Sequence, residues 1–175
     1  MQFQPPSKPD DISVGMNGQA IASDGVDHNG IVTGRWKTGL FGFMDSMVPN
    51  GVMSCCCTGV VLAQIVARVG FLKFNVAIAL TGALYFIAFL AAVTSSKFFD
   101  VITVLAAIVT TLCCTRLRWR LREIFAIPGT PLEDVLVSVC CGCCSVAQMA
   151  SHVESYEPGT FAFAPRATLE GYSVN

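Results

Sequence analysis

Nine cysteines are the residues of this 175-residue chain best suited to chemistry, and most of them stand side by side. They form Cys55-Cys56-Cys57, Cys113-Cys114, and Cys140-Cys141 with Cys143-Cys144. Small secreted proteins space an even number of cysteines to staple distant loops. Adjacent thiols in an odd count read instead as reduced side chains facing the cytosol. The opening residues, MQFQPPSKPDDIS, lack the apolar run of a secretory signal and agree with that reading. Four roles are open to such thiols. They pack as small hydrophobes, they accept acyl chains near a cytosolic membrane surface, they bind soft or borderline cations as thiolates, or they form a regulatory disulfide. A metal reading names Cys55, Cys56, Cys57, Cys140, Cys141 and Cys144, with zinc or cadmium held by four thiolates in tetrahedral array. Cys140 and Cys144 are spaced i,i+4, and Cys141 and Cys144 i,i+3, so each pair shares a helix face. Nearby arginines would lower the thiol pKa and ease metal binding.

No enzyme is expected. His28 lies in a polar N-terminal stretch. His152 is two helical turns from Cys144, about 12 Å, too far for direct proton transfer. The chain has neither a phosphate-binding glycine loop nor an HExxH pair. Asp100 lies near the edge of an apolar run, where an acid marks an ion route or caps a helix at the headgroups.

These residues need a framework, and composition indicates which kind. Hydrophobic residues make up 53% of the chain and charged residues 13%, too few charges to cover a small soluble globule. A net charge of −1 excludes a strongly basic nucleic-acid binder. The reading is an all-α membrane protein in three parts: a disordered tail over 1–34, a cysteine-rich membrane domain over 35–155, and an irregular tail over 156–175. The run FNVAIALTGALYFIAFLAAV, Phe74 to Val93, is long enough to span a bilayer core of about 30 Å. A second run from Phe98 to about Thr115 follows after a tight turn, giving a hydrophobic helical hairpin that crosses twice or re-enters. RLRWRLREIF continues the second helix, its arginines drawn to the anionic leaflet. Six basic residues flank the hairpin (Arg68, Lys73, Arg116, Arg118, Arg120 and Arg122) and one, Lys97, lies in its turn. That asymmetry predicts cytosolic termini, with the plasma membrane as the expected location. Ala77, Ala79, Gly82, Ala83, Ala106 and Ala107 permit close helix contact.

Around the hairpin, Val52 to Gly70 reads as one helix stopped by Gly70. Thr130, Pro131 and Glu133 form a capping box that starts another helix, predicted to run to about Val153. Trp36, Arg35 and Lys37 suit either a headgroup layer or a turn packed on the protein.

The motifs carry a resemblance. Trp36 with Gly39-Leu40-Phe41, a cysteine cluster followed by Gln64, and then the hairpin make a first half. Arg118, Arg120-Leu121-Arg122, Phe125, Ile127-Pro128-Gly129, Asp134, Cys140-Cys141, Cys144 and Gln148 make a second. Over about residues 35–155 the chain resembles the placenta-specific 8 family of cysteine-rich membrane proteins. That family includes cornifelin, plant cadmium-resistance proteins and fruit-weight or cell-number regulators. The stretch QMASHVESYEPG is similar to oomycete members. Departures are visible: Gly59 stands where the family has the second cysteine of C-P-C, Ala147 replaces the cysteine before Gln148, and Met149 replaces a glutamate. The resemblance implies a membrane scaffold or regulator of growth acting through partners, or an oligomeric carrier of zinc, cadmium or calcium. Either reading has membrane lipid around it and a homo-oligomer or protein partner, with no nucleic acid.

Overall fold

The computed structural model describes residues 25–44, 47–94, 96–157 and 159–172. Six helices dominate it. They are α1 (Val52–Cys56), α2 (Thr58–Val69), α3 (Phe74–Thr94), α4 (Lys97–Ile124), α5 (Pro131–Cys140) and α6 (Gly142–His152). The all-α fold class expected from composition is the one observed.

α3 and α4 pack on each other as the hairpin. Both are long and apolar enough to cross a membrane. At 1.5 Å per residue α3 is about 31 Å long and α4 about 42 Å, so the last turns of α4 extend beyond a bilayer core. Leu80, Phe86, Phe89, Val101, Val104 and Val109 are all exposed, which in water would be a large unsatisfied surface and in lipid is none. Thr81, Thr94, Thr103, Thr110, Thr111 and Thr115 each donate their hydroxyl to a carbonyl of their own helix, so they bring no unpaired polar group into this surface. Of the small residues expected at the helix contact, Ala77 is buried, whereas a Cβ on Gly82 would meet nothing within 4 Å.

The other helices gather around the base of the hairpin. α2 packs along α3, and α6 packs on both α2 and α4. Their shared core contains Ile65, Val69, Leu121, Phe125, Met149 and Val153, all fully buried. Gly59 lets α2 approach α3. Its N–H donates to Tyr85 Oη at 3.2 Å, and a Cβ there would lie 2.8 Å from the Tyr85 ring. α2 ends as expected at Gly70 (φ 82°), with the Phe71 N–H returning to the Val66 carbonyl.

Three expectations are corrected. The helix predicted from Val52 to Gly70 is broken at Cys57, and the helix predicted from Pro131 to Val153 is broken at Cys141. The chain turns by 108° at the first break and by 117° at the second. Both breaking residues leave helical geometry, and a glycine stands one or two positions on, where helix propensity is weak. The second bend has a packing reason: α6 is buried from Cys144 to His152, while α5 keeps an exposed apolar strip, so a straight rod could not serve both environments.

The third correction concerns the tail expected to be disordered over 1–34. Residues 1–24 lie outside the described residues, but 25–34 are built. Gly25–Val26 (β1) pairs antiparallel with Val32–Thr33 (β2). The Asp27 carboxylate accepts the N–H groups of Asn29 and Ile31, and Ile31 enters the core. Tyr172 Oη donates to Asp27 at 2.6 Å, which ties this hairpin to the C-terminal segment. That segment is not free: the Leu169 N–H donates to the Arg68 carbonyl at 2.7 Å and its side chain is buried.

Candidate functional site

The structure brings part of the predicted sulphur set together. Cys141, in the break between α5 and α6, is joined to Cys144 by a disulfide, with Cα atoms 5.3 Å apart. Cys141 and Cys143 have their sulphurs 4.0 Å apart, and the three sulphur atoms of Cys141, Cys143 and Cys144 lie within 4.8 Å of one another. Cys55 comes from α1 to stand against Cys143. Hydrogen bonding to that neighbour, followed by burial, raises the Cys55 pKa. The cysteines therefore differ from the sequence expectation in two respects: one pair is oxidised, and Cys55 holds its proton more tightly where arginines were expected to loosen it. Its dominant neighbours are other sulphurs.

Cys143 was absent from the candidate set. Among the described residues, Cys55, Cys56, Cys57 and Cys140 lie outside the group of three; Cys55, Cys56 and Cys140 are exposed. The donor chemistry suits a soft cation. Thiolates around zinc at about 2.3 Å in a tetrahedron are about 3.8 Å apart, close to the Cys141–Cys143 separation. Cys141, Cys143 and Cys144 supply three such sulphurs once the disulfide is reduced, and Cys55, which stands against Cys143, offers a fourth.

A second constellation holds this corner in place. Arg118 and Arg122 were expected to face the leaflet, yet both are buried. They converge on one carboxylate. Arg118 Nε donates to Asp134 Oδ1 at 3.1 Å, and Arg122 donates to Oδ2 through Nε at 2.9 Å and through a terminal nitrogen at 2.7 Å. Arg118 also donates to Gln148 Oε1 at 2.7 Å, while Gln148 Nε2 donates to the Thr38 carbonyl at 2.9 Å. The Trp36 ring lies 4.5 Å from the Arg118 guanidinium and spreads over its face. Trp36 is thus packed on the protein, the second of the two settings it suited. Gly129 (φ 149°) makes room for Arg122: a Cβ there would lie 2.5 Å from the guanidinium. Arg116 and Arg120 stay outside, over Trp119 and paired with Glu123 respectively.

His152 sits next to this junction, fully buried between Phe125 (ring centroids 4.7 Å apart) and Trp36 (5.1 Å). Its Nδ1 accepts the Lys37 backbone N–H at 3.2 Å, which places its proton on Nε2. Burial, and then the charge of Lys37, push its pKa down to about 4. This histidine is a neutral packing element. Gln64 ties the other flank, donating to the carbonyls of Ala162 at 2.7 Å and Ala164 at 3.1 Å.

Residues 36–152 match the sequence profile of the PLAC8 family, and the chain belongs to that family. The match runs from Trp36 to His152, two residues that touch in the fold. No curated protein matches the chain. No solved structure matches it.

Asp134→Asn leaves two buried guanidinium groups without their counter-charge. The expected loss is about 3–5 kcal/mol of stability, read from denaturant unfolding in mild detergent. Asp134→Glu, which keeps the charge, should lose less.

His152 gives a pH dependence of defined sign. Its folded-state pKa of about 4 lies below the ordinary 6.5, so the unfolded chain binds more protons between these values. The stability it contributes is complete above about pH 6.5 and is lost as pH falls toward 4, on the order of 3 kcal/mol in all. His152→Phe should flatten the melting temperature across this window.

Proposed function

We propose that this PLAC8-family chain is a membrane-anchored protein that captures soft divalent cations, zinc or cadmium, through Cys55, Cys141, Cys143 and Cys144. Its cysteine-bearing base faces the cytosolic side of the plasma membrane. The observation that carries this reading is the meeting of three sulphurs from the α5–α6 break and α6, within 4.8 Å of one another, with Cys55 of α1 against one of them, Cys143. Adjacent cysteines that served only as small hydrophobes would need no such convergence. The six-to-one distribution of basic residues about the hairpin supports the orientation. Two helices enclose no pore, so passage of a cation across the membrane would need several copies.

The full chain, purified in mild detergent with a thiol reductant, is expected to retain about one zinc or cadmium ion per chain, measured by elemental analysis. Cys143→Ser and Cys144→Ser should each lose it, whereas Cys56→Ser and Cys140→Ser should keep it. Reduced protein that retains no metal, or equal loss in the Cys140 and Cys143 variants, overturns the reading.

A second reading, a scaffold or regulator acting through a protein partner or a further copy, draws on α5. Leu132, Val135, Leu136 and Val139 repeat along its outer face and are exposed, while Asp134 and Ser138 turn inward. If this strip docks a partner, Leu132→Ser with Leu136→Ser should shrink the particle eluted in mild detergent. Its melting temperature should stay near that of the wild type, because exposed substitutions cost about 0.5 kcal/mol or less. An unchanged particle size removes this reading.

A further inference from the structure

Two adjoining cavities lie where α2 hands the chain to α3, and their chemistries differ. The first is an apolar groove of about 460 Å³ between α2, α3 and α4. Leu62, Val66, Leu80, Leu84, Val109 and Leu117 form its walls. Its two hydroxyls are already engaged: Thr81 donates to the Ala77 and Ile78 carbonyls and Thr110 to that of Ala106. The groove therefore offers an occupant hydrocarbon contact and almost nothing else. Its α3 and α4 walls continue the exposed apolar surface of the hairpin, so it opens on the lipid side.

The second cavity, about 620 Å³, shares Leu72 with the first and extends to the C-terminal segment. Lys73 and Arg166 line it, and among the described residues no acidic one does. Arg68 is close by, donating to the carbonyl of Ala167 next to Arg166. Arg166 itself is oriented by the Glu154 carbonyl at 2.9 Å. The nearby Glu154 carboxylate is already paired with Lys37. Two cations thus line a space with Arg68 beside it and, among the described residues, no carboxylate in its wall, at the residue before α3 begins. That is the level at which a hydrocarbon-spanning helix meets headgroups.

We propose that the pair of cavities is a binding site for one anionic membrane phospholipid, its phosphate held by Lys73 and Arg166 and an acyl chain lying in the groove against Leu80 and Val109. The apolar cavity alone would suit any hydrocarbon, and the cationic one alone any anion. Their junction at Leu72 selects a molecule with both parts. The site is separate from the sulphur cluster, and neither depends on the other.

The test uses the full chain in mild detergent, with thermal unfolding followed on addition of short-chain phosphatidylserine. Phosphatidylcholine of the same chain length and inorganic phosphate are the comparisons. Phosphatidylserine should raise the melting temperature, and the other two should not. Lys73→Gln, at an exposed position, should weaken the apparent affinity about fivefold, since a basic residue at a lipid surface is worth roughly a factor of that size. Leu80→Trp, which fills the groove from an exposed position, should abolish the response in a folded protein, and Arg166→Lys should keep most of it. An equal response to inorganic phosphate would mean a free-anion site and overturn the proposal. So would an equal response to phosphatidylcholine. A phosphatidylserine response unchanged by Lys73→Gln but lost in Arg116→Gln with Arg120→Gln would assign it to the general basic surface and overturn the proposal too.

Discussion

Asp134 is the one carboxylate on which two buried guanidinium groups depend. Bringing arginines out of water costs several kcal/mol per ion unless charge and hydrogen bonds are supplied in full. Meeting that demand recruits the rest of the base. Asp134 draws α5 back against α4, Gln148 brings α6 to the same point, and the Thr38 carbonyl and Trp36 close it from the N-terminal side. Gly129 clears the space for Arg122. Elements from four parts of the chain are thus fixed by one charge-balance requirement, and the sulphur cluster stands at the far end of the helix that this requirement positions.

The elements legible in the sequence are those set by local or one-dimensional rules. α3 and α4 follow from runs of apolar residues long enough for a bilayer. Gly70 stops α2, and Thr130 accepts the Glu133 N–H at 3.3 Å as its capping box requires. Motif residues such as Trp36, Arg118, Asp134 and Gln148 were visible as a pattern. Their shared role was not, because Arg118 and Asp134 are 16 positions apart and nothing in their spacing says that one α-helix turns back upon another. Alternate arginines next to an apolar run have a simpler reading, as ligands for anionic lipid. Of the four, only Arg116 and Arg120 remain outside.

The bends at Cys57 and Cys141 were hidden for a different reason. Periodicity reports which residues share a face, and it continues through both breaks. A change of direction shows only when the environments on either side are known: α5 with one face outward, α6 buried on all sides. Cys143 was passed over with the bend, since on a continuous helix it falls among apolar side chains, and only the turn at Cys141 brings its sulphur to its neighbours. The hairpin of residues 25–34 escaped because a polar composition does not record that Asp27 will find Tyr172, 145 positions away.

That same contact has a topological consequence. Asn29 and His28 both reach the Glu170 carbonyl, at 3.0 Å and 2.8 Å, and Tyr172 reaches Asp27, so the first and last described stretches of the chain are laced together. The covalent path leaves this seam, rises through α3, descends through α4 and returns to it, closing nearly into a ring. A short linker across the seam would permit a circularly permuted chain opened between α3 and α4, in which each span becomes a terminal arm and the base is the uninterrupted middle.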